Sequence, residues 1–108
     1  MDQIQRFSDD QQIEQEAHLL DLGNMEQLAT FIASVAVSET VGESAVGTVH
    51  ARIETFRKQN DSDSMLQLEN SIYRKFRQYR REGVLKTEPH RLQAEALVGR
   101  LFPRTAPN

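Results

Sequence analysis

Cysteine and tryptophan are absent from the 108 residues, and aromatic side chains make up only 6% of them. Without cysteine there can be no disulfide and no thiolate metal site, so an aliphatic core must hold the fold by itself. No stretch alternates with a period of two for long enough to suggest a strand, and no fixed-period repeat is present. The P-loop and the dinucleotide-binding glycine pattern are also missing. The longest apolar run, residues 28–37 (LATFIASVAV), is about half the roughly 20 residues needed to cross a bilayer, so it reads as a buried helix segment. The opening residues are acidic and amide-bearing instead of basic and then apolar, so no secretory signal is expected and the chain reads as cytoplasmic.

What is present fits a small globular protein. Hydrophobic residues make up 38% and charged residues 27%, away from the profile of a disordered chain. The length suits one domain spanning 1–108, with residues 1–7 and 102–108 as loosely held tails. The core is lean, which favours a homodimer. The net charge of -3 conceals an asymmetry. Residues 1–56 carry 2 basic and 10 acidic side chains, a net of -8, whereas residues 57–108 carry 11 and 6, a net of +5. Opposite charges on two halves can join the halves, orient two subunits head to tail, or present a basic face to an acidic partner.

The pattern predicts an all-α fold, a small bundle of about five helices with a long or broken central helix. Ser8 begins a capping-box pattern that starts the first helix, Ile13, Ala17 and Leu20 fall at helical spacing, and Gly23 is placed to end it in a left-handed conformation. Asn24 caps the second helix, in which Leu28, Phe31, Ile32 and Val35 form an apolar stripe flanked by Ala29, Ala33, Ala36 and Val37. Small residues over 38–47 predict a break near Gly42, because glycine costs about 1 kcal/mol in a helix interior. The alternative is one continuous helix over 25–58 with Ser34, Ser38 and Gly42 as a small-residue seam. The third helix runs to about Lys58 with Val46, Val49, Ile53 and Phe56 on one face.

Asn60 to Ser64 forms the clearest turn, since these side chains bond their own neighbouring backbone. The fourth helix then buries Met65, Leu68, Ile72, Phe76 and Tyr79, gathers Arg74, Arg77 and Arg81 on the other side, and ends at Gly83 with Val84 and Leu85 packing after it. Thr87, Glu88 and Pro89 start a fifth helix, which Leu92, Ala96 and Leu97 continue to Leu101.

Catalytic chemistry finds little support. His18, His50 and His90 lie far apart in sequence, as metal ligands usually do not, so no metal and no cofactor is expected. The run from Gly42 to Gly47 approximates a nucleophile elbow, but that motif works only at a strand-to-helix turn, and no strand is predicted. Asp61-Ser62-Asp63 resembles the start of a calcium loop, yet Leu66 stands where the loop needs glycine and Ile72 where a bidentate glutamate should close it. The expectation is a protein that is not an enzyme.

Two surfaces are candidates for function. The first is a partner or dimer interface made by Leu28, Phe31, Ile32, Val35 and Val49. The second is a basic face, Arg74, Lys75, Arg77, Arg80 and Arg81, interleaved with Tyr73, Phe76 and Tyr79. Arginine and tyrosine are enriched at interface hot spots. The leading expectation is a regulator that acts by protein–protein binding, for example an anti-activator or adaptor that sequesters a transcription regulator, without contact with membranes. The second is a DNA-binding transcriptional regulator, in which the arginines neutralise phosphates and the fourth and fifth helices form a helix-turn-helix. Two features count against it: the acidic isoelectric point of about 5.6, and Glu88 at the start of the would-be recognition helix.

Overall fold

Local capping chemistry decides where the helices begin, and a computed structural model that describes residues 9–38 and 41–102 shows five of them. They are α1 (Asp10–His18), α2 (Met25–Val37), α3 (Glu43–Gln59), α4 (Ser62–Arg81) and α5 (Glu88–Leu101), and no strand occurs among the described residues. Asn24, Asp61 and Thr87 each turn a side-chain oxygen onto a backbone N–H three residues on, satisfying a donor that the first turn leaves free.

α1 departs from the expected plan at both ends. Ser8 lies outside the described residues, and the cap is Asp9, whose Oδ1 accepts from the Gln12 amide at 2.8 Å. The helix stops after His18 instead of running to Gly23. Gly23 has a negative φ, since Gly83 alone among the described residues has a positive one, and its amide donates to Asp21 Oδ1 at 2.9 Å. The aspartate side chain, not a left-handed glycine, therefore shapes this turn. Leu19, at the helix end, is 77% exposed.

The expected break between the second and third helices is present, and the continuous-helix alternative fails. The backbone turns extended at Ser38, whose hydroxyl donates to the Ser34 carbonyl, and α3 restarts after Gly42. Gly42 has no side chain to cap α3, yet its amide is not idle: it donates to Asp10 Oδ1 at 2.8 Å. Glu14 Oε1 accepts from the hydroxyls of Ser44 and Thr48, so α1 is fastened along the first turns of α3.

α2 is the structural centre. Nine of its residues are buried, and its backbone packs closely against α4 on one side and α5 on another, while α1 lies on α3 and α3 on α5. One hydrophobic cluster draws on all five helices. The radius of gyration of 13.2 Å is that of a compact chain of this length. Tyr79 takes the amides of Val84 and Leu85 on its carbonyl, at 2.8 and 3.3 Å, and Gly83 adopts a φ of 81° to permit that closure.

α5 is rotated relative to the expected face. Its buried residues are Ala94, Val98 and Leu101, while Leu92 is 54% exposed and Ala96 is exposed. His90 Nε2 lies 2.9 Å from the Val37 carbonyl, at the end of α2, on the same inward row as the fully buried Ala94, Val98 and Leu101. Phe102, counted above with the C-terminal tail, is the C-cap of α5 and is buried, because it covers the gap between that helix end and the start of α4. The remainder of both expected tails lies outside the described residues. Among the described residues, no helix is long and apolar enough to cross a membrane.

A candidate anion-binding face on the fourth helix

The apolar surface expected on α2 and α3 is not a surface. Leu28, Phe31, Ile32, Val35 and Val49 are all buried inside the chain, as a helix packed between two others requires. None is available to a second chain. The histidines stay apart: His18 ends α1 exposed, His50 sits beside Glu54 at 3.6 Å, and His90 faces Val37. Asp61 serves as the N-cap of α4, its carboxyl held below the usual range by the amide and hydroxyl of Ser64. Among the described residues, no group of three histidine or acidic side chains is arranged to hold a metal.

The basic residues are brought together. Leu68, Ile72, Phe76 and Tyr79 fix α4 against the core, and that rotation leaves Arg74, Arg77, Arg80 and Arg81 exposed. The helix end and the turn after it add Lys86, giving an open concavity of about 1090 Å³ along the C-terminal half of α4. Among the described residues, no carboxylate lies within 4.0 Å of any of these five cationic groups. Arg57, Arg91 and Arg100, elsewhere on the surface, each face a glutamate. Among the described residues, then, the α4 arginines are not paired with the acidic side chains of the first half of the chain. Part of the charge at Arg80 and Arg81 has a structural role as well, since cations in a last turn complement the helix dipole.

Lys75 differs from its neighbours. It was expected on the solvated basic face but is 8% exposed, with Nζ bonded to Glu26 Oε1 at 2.6 Å. Its position three residues after Ile72 and four before Tyr79 puts its stem against the core, and the ammonium extends along α4 to reach the first turn of α2. Glu26 is the carboxylate inside the concavity. Arg74 donates to Ser71 Oγ at 3.0 Å, which orients its guanidinium without neutralising it.

A second depression went unforeseen in the sequence. A groove of about 480 Å³ at the α3–α4 turn is lined by Met65, Leu66 and Phe102, with Arg57 and Glu69 among its polar residues. Leu66 is 57% exposed because it falls one position off the buried stripe of α4. A large aliphatic residue out of phase with its helix was the only available signal.

The expected helix-turn-helix is not assembled. α5 packs on α2 and α3 and has little close backbone contact with α4, so an anion reaching the α4 face would not be read by the start of α5. No family model, no curated protein and no solved structure matches this chain.

Proposed function

We propose that this protein is a non-enzymatic regulator whose working surface is the cationic face of α4, and that the anion it meets is the phosphate backbone of nucleic acid. The observation that carries this reading is the set of five cations, Arg74, Arg77, Arg80, Arg81 and Lys86, on one concave face with no carboxylate within ion-pair range among the described residues. Guanidinium forks match phosphate oxygens in pairs. The overall acidity weighs less than it does in the sequence. Charges at physiological salt are screened over about 8 Å, whereas the molecule measures 34 × 31 × 28 Å. The acidic side chains of α1 sit on the helix that packs against α3, not against α4. A ligand at α4 therefore meets the local charge rather than the net one.

The test is binding of a labelled nucleic acid over a series of salt concentrations, with the wild-type chain and Arg74→Ala/Arg77→Ala/Arg81→Ala. Loss of affinity and a flatter salt dependence in the variant support the reading; no binding by the wild-type chain at low salt removes it.

The groove beside Leu66 favours a second reading, a protein-binding regulator such as an anti-activator, with or without a homodimer, using Met65, Leu66 and Phe102 as its apolar contact. In that case Leu66→Asp should keep the helical content and abolish partner capture or self-association. The capture should survive nuclease.

A further inference from the structure

Granting the nucleic-acid reading of α4, the chemistry of the concavity bears on which form of nucleic acid it takes. Proteins that hold single strands usually combine positive charge with exposed aromatic rings on which bases stack. The aromatics of this helix are not available for that. Phe76 and Tyr79 are buried, and Tyr73 is half-buried with its ring set edge-on to Phe76, at 85° and 5.8 Å between centroids. Within the concavity the side-chain amide that could read a base edge is Gln78, which is half-buried and lies 3.3 Å from both Glu82 oxygens; the exposed Asn70, one turn before Arg74, stands outside its lining. Ser71 is buried and accepts from Arg74. What remains for a ligand is charge: guanidinium groups at 74, 77 and 81, which recur along one side of the helix over a rise of roughly 10 Å, bordered by Arg80 and Lys86.

We infer that the α4 face binds double-stranded nucleic acid through its phosphates alone, neither stacking on bases nor reading their edges. A duplex offers one negative charge per about 1.7 Å of axis, twice the density of one strand, with its bases hidden. A face with cations and no free aromatic gains from the first property and loses nothing by the second.

The experiment uses the full chain and fluorescently labelled probes: a short random-sequence duplex, one of its strands alone, a second duplex of unrelated sequence, and poly-glutamate. Each is titrated between about 50 and 200 mM salt. The expected result is several-fold tighter binding of the duplex than of the strand and equal affinity for the two duplexes. The logarithm of the association constant should fall against the logarithm of salt concentration with a slope of roughly -4. Arg74→Ala/Arg77→Ala/Arg81→Ala, at exposed positions, should fold as the parent does by circular dichroism and reduce that slope by about 3. Equal or tighter binding of the single strand overturns the inference while leaving the nucleic-acid reading in place. A strong preference between the duplexes overturns the claim that bases are not read. Poly-glutamate binding as tight as the duplex assigns the face to an acidic protein, and no binding to either nucleic acid removes the underlying reading itself.

Discussion

Glu26 Oε1 lies 2.6 Å from Lys75 Nζ, bridging 49 positions of sequence and joining the first turn of α2 to the middle of α4. Lys75 is buried up to its ammonium while Glu26 is 72% exposed, so the carboxylate is the movable partner. An anion entering the concavity competes with it directly.

Glu26→Gln therefore should raise affinity for a polyanion several-fold and steepen the salt dependence by about one unit of slope, because a phosphate no longer displaces a resident carboxylate. Stability should fall by about 1–3 kcal/mol, since Glu26 is mostly in water but the buried Lys75 ammonium keeps only an amide oxygen as partner. Titration of a labelled duplex, alongside urea denaturation, measures both. Unchanged affinity would mean that Glu26 takes no part in controlling access.

Phe31 separates core from interface. Its ring is buried between α2 and its neighbours, so Phe31→Ala should cost about 3–5 kcal/mol and Phe31→Glu should prevent folding. Circular dichroism and thermal melting report this. A well-folded Phe31→Glu chain would contradict the placement of α2 at the centre.

Gly83 carries the positive φ of 81° that closes α4, and a Cβ added there would lie 3.1 Å from Lys86 Cε. Gly83→Ala is expected to destabilise by about 1 kcal/mol and to displace Lys86 at the edge of the cationic face. A lower melting temperature with weaker anion binding is the predicted pair of effects.

Acid should weaken the fold through two exposed carboxylates. The hydrogen bond and charge of Arg100 hold the Glu43 carboxyl below its ordinary range, and the Ser64 amide and hydroxyl do the same for Asp61. With folded values below unfolded ones, their contribution is present above the unfolded pKa and is lost as pH falls through the folded one, that is, on acidification below about pH 4. Arg100→Ala combined with Asp61→Asn should flatten the acid limb of a urea-midpoint profile, while Asn continues to cap α4. An unaltered limb would place the acid sensitivity elsewhere.

Helices with strong periodicity were legible from the sequence: α2 and α3 lie where apolar spacing and the Asn24 cap place them, and α4 follows its apolar stripe but begins at Ser62, inside the expected Asn60 to Ser64 turn, because Asp61 caps it there. Two local features misled. Gly23 resembles a helix stop, but Asp21 organises the turn, and Leu92 resembles core, but α5 buries the row of Ala94, Val98 and Leu101 instead, with His90 on that row meeting the Val37 carbonyl. In both places a side chain meets a backbone atom that spacing does not reveal. The basic run at α4 was equally plain, whereas its pairing was not. Whether an arginine meets a carboxylate depends on which helix lies beside α4, and that neighbour proved to be α2, which supplies Glu26 to Lys75 and nothing to the arginines.

The bond from the Gly42 amide to Asp10 makes the first helix the lid of the third helix's opening turn. A chain trimmed past Asp10 would lose the acceptor for that amide, and one trimmed past Glu14 would also free the Ser44 and Thr48 hydroxyls. Proteolytic removal of the chain through Asp10 would then register at a distance of some thirty positions, as faster amide hydrogen exchange in the first turn of α3 while α4 kept its protection.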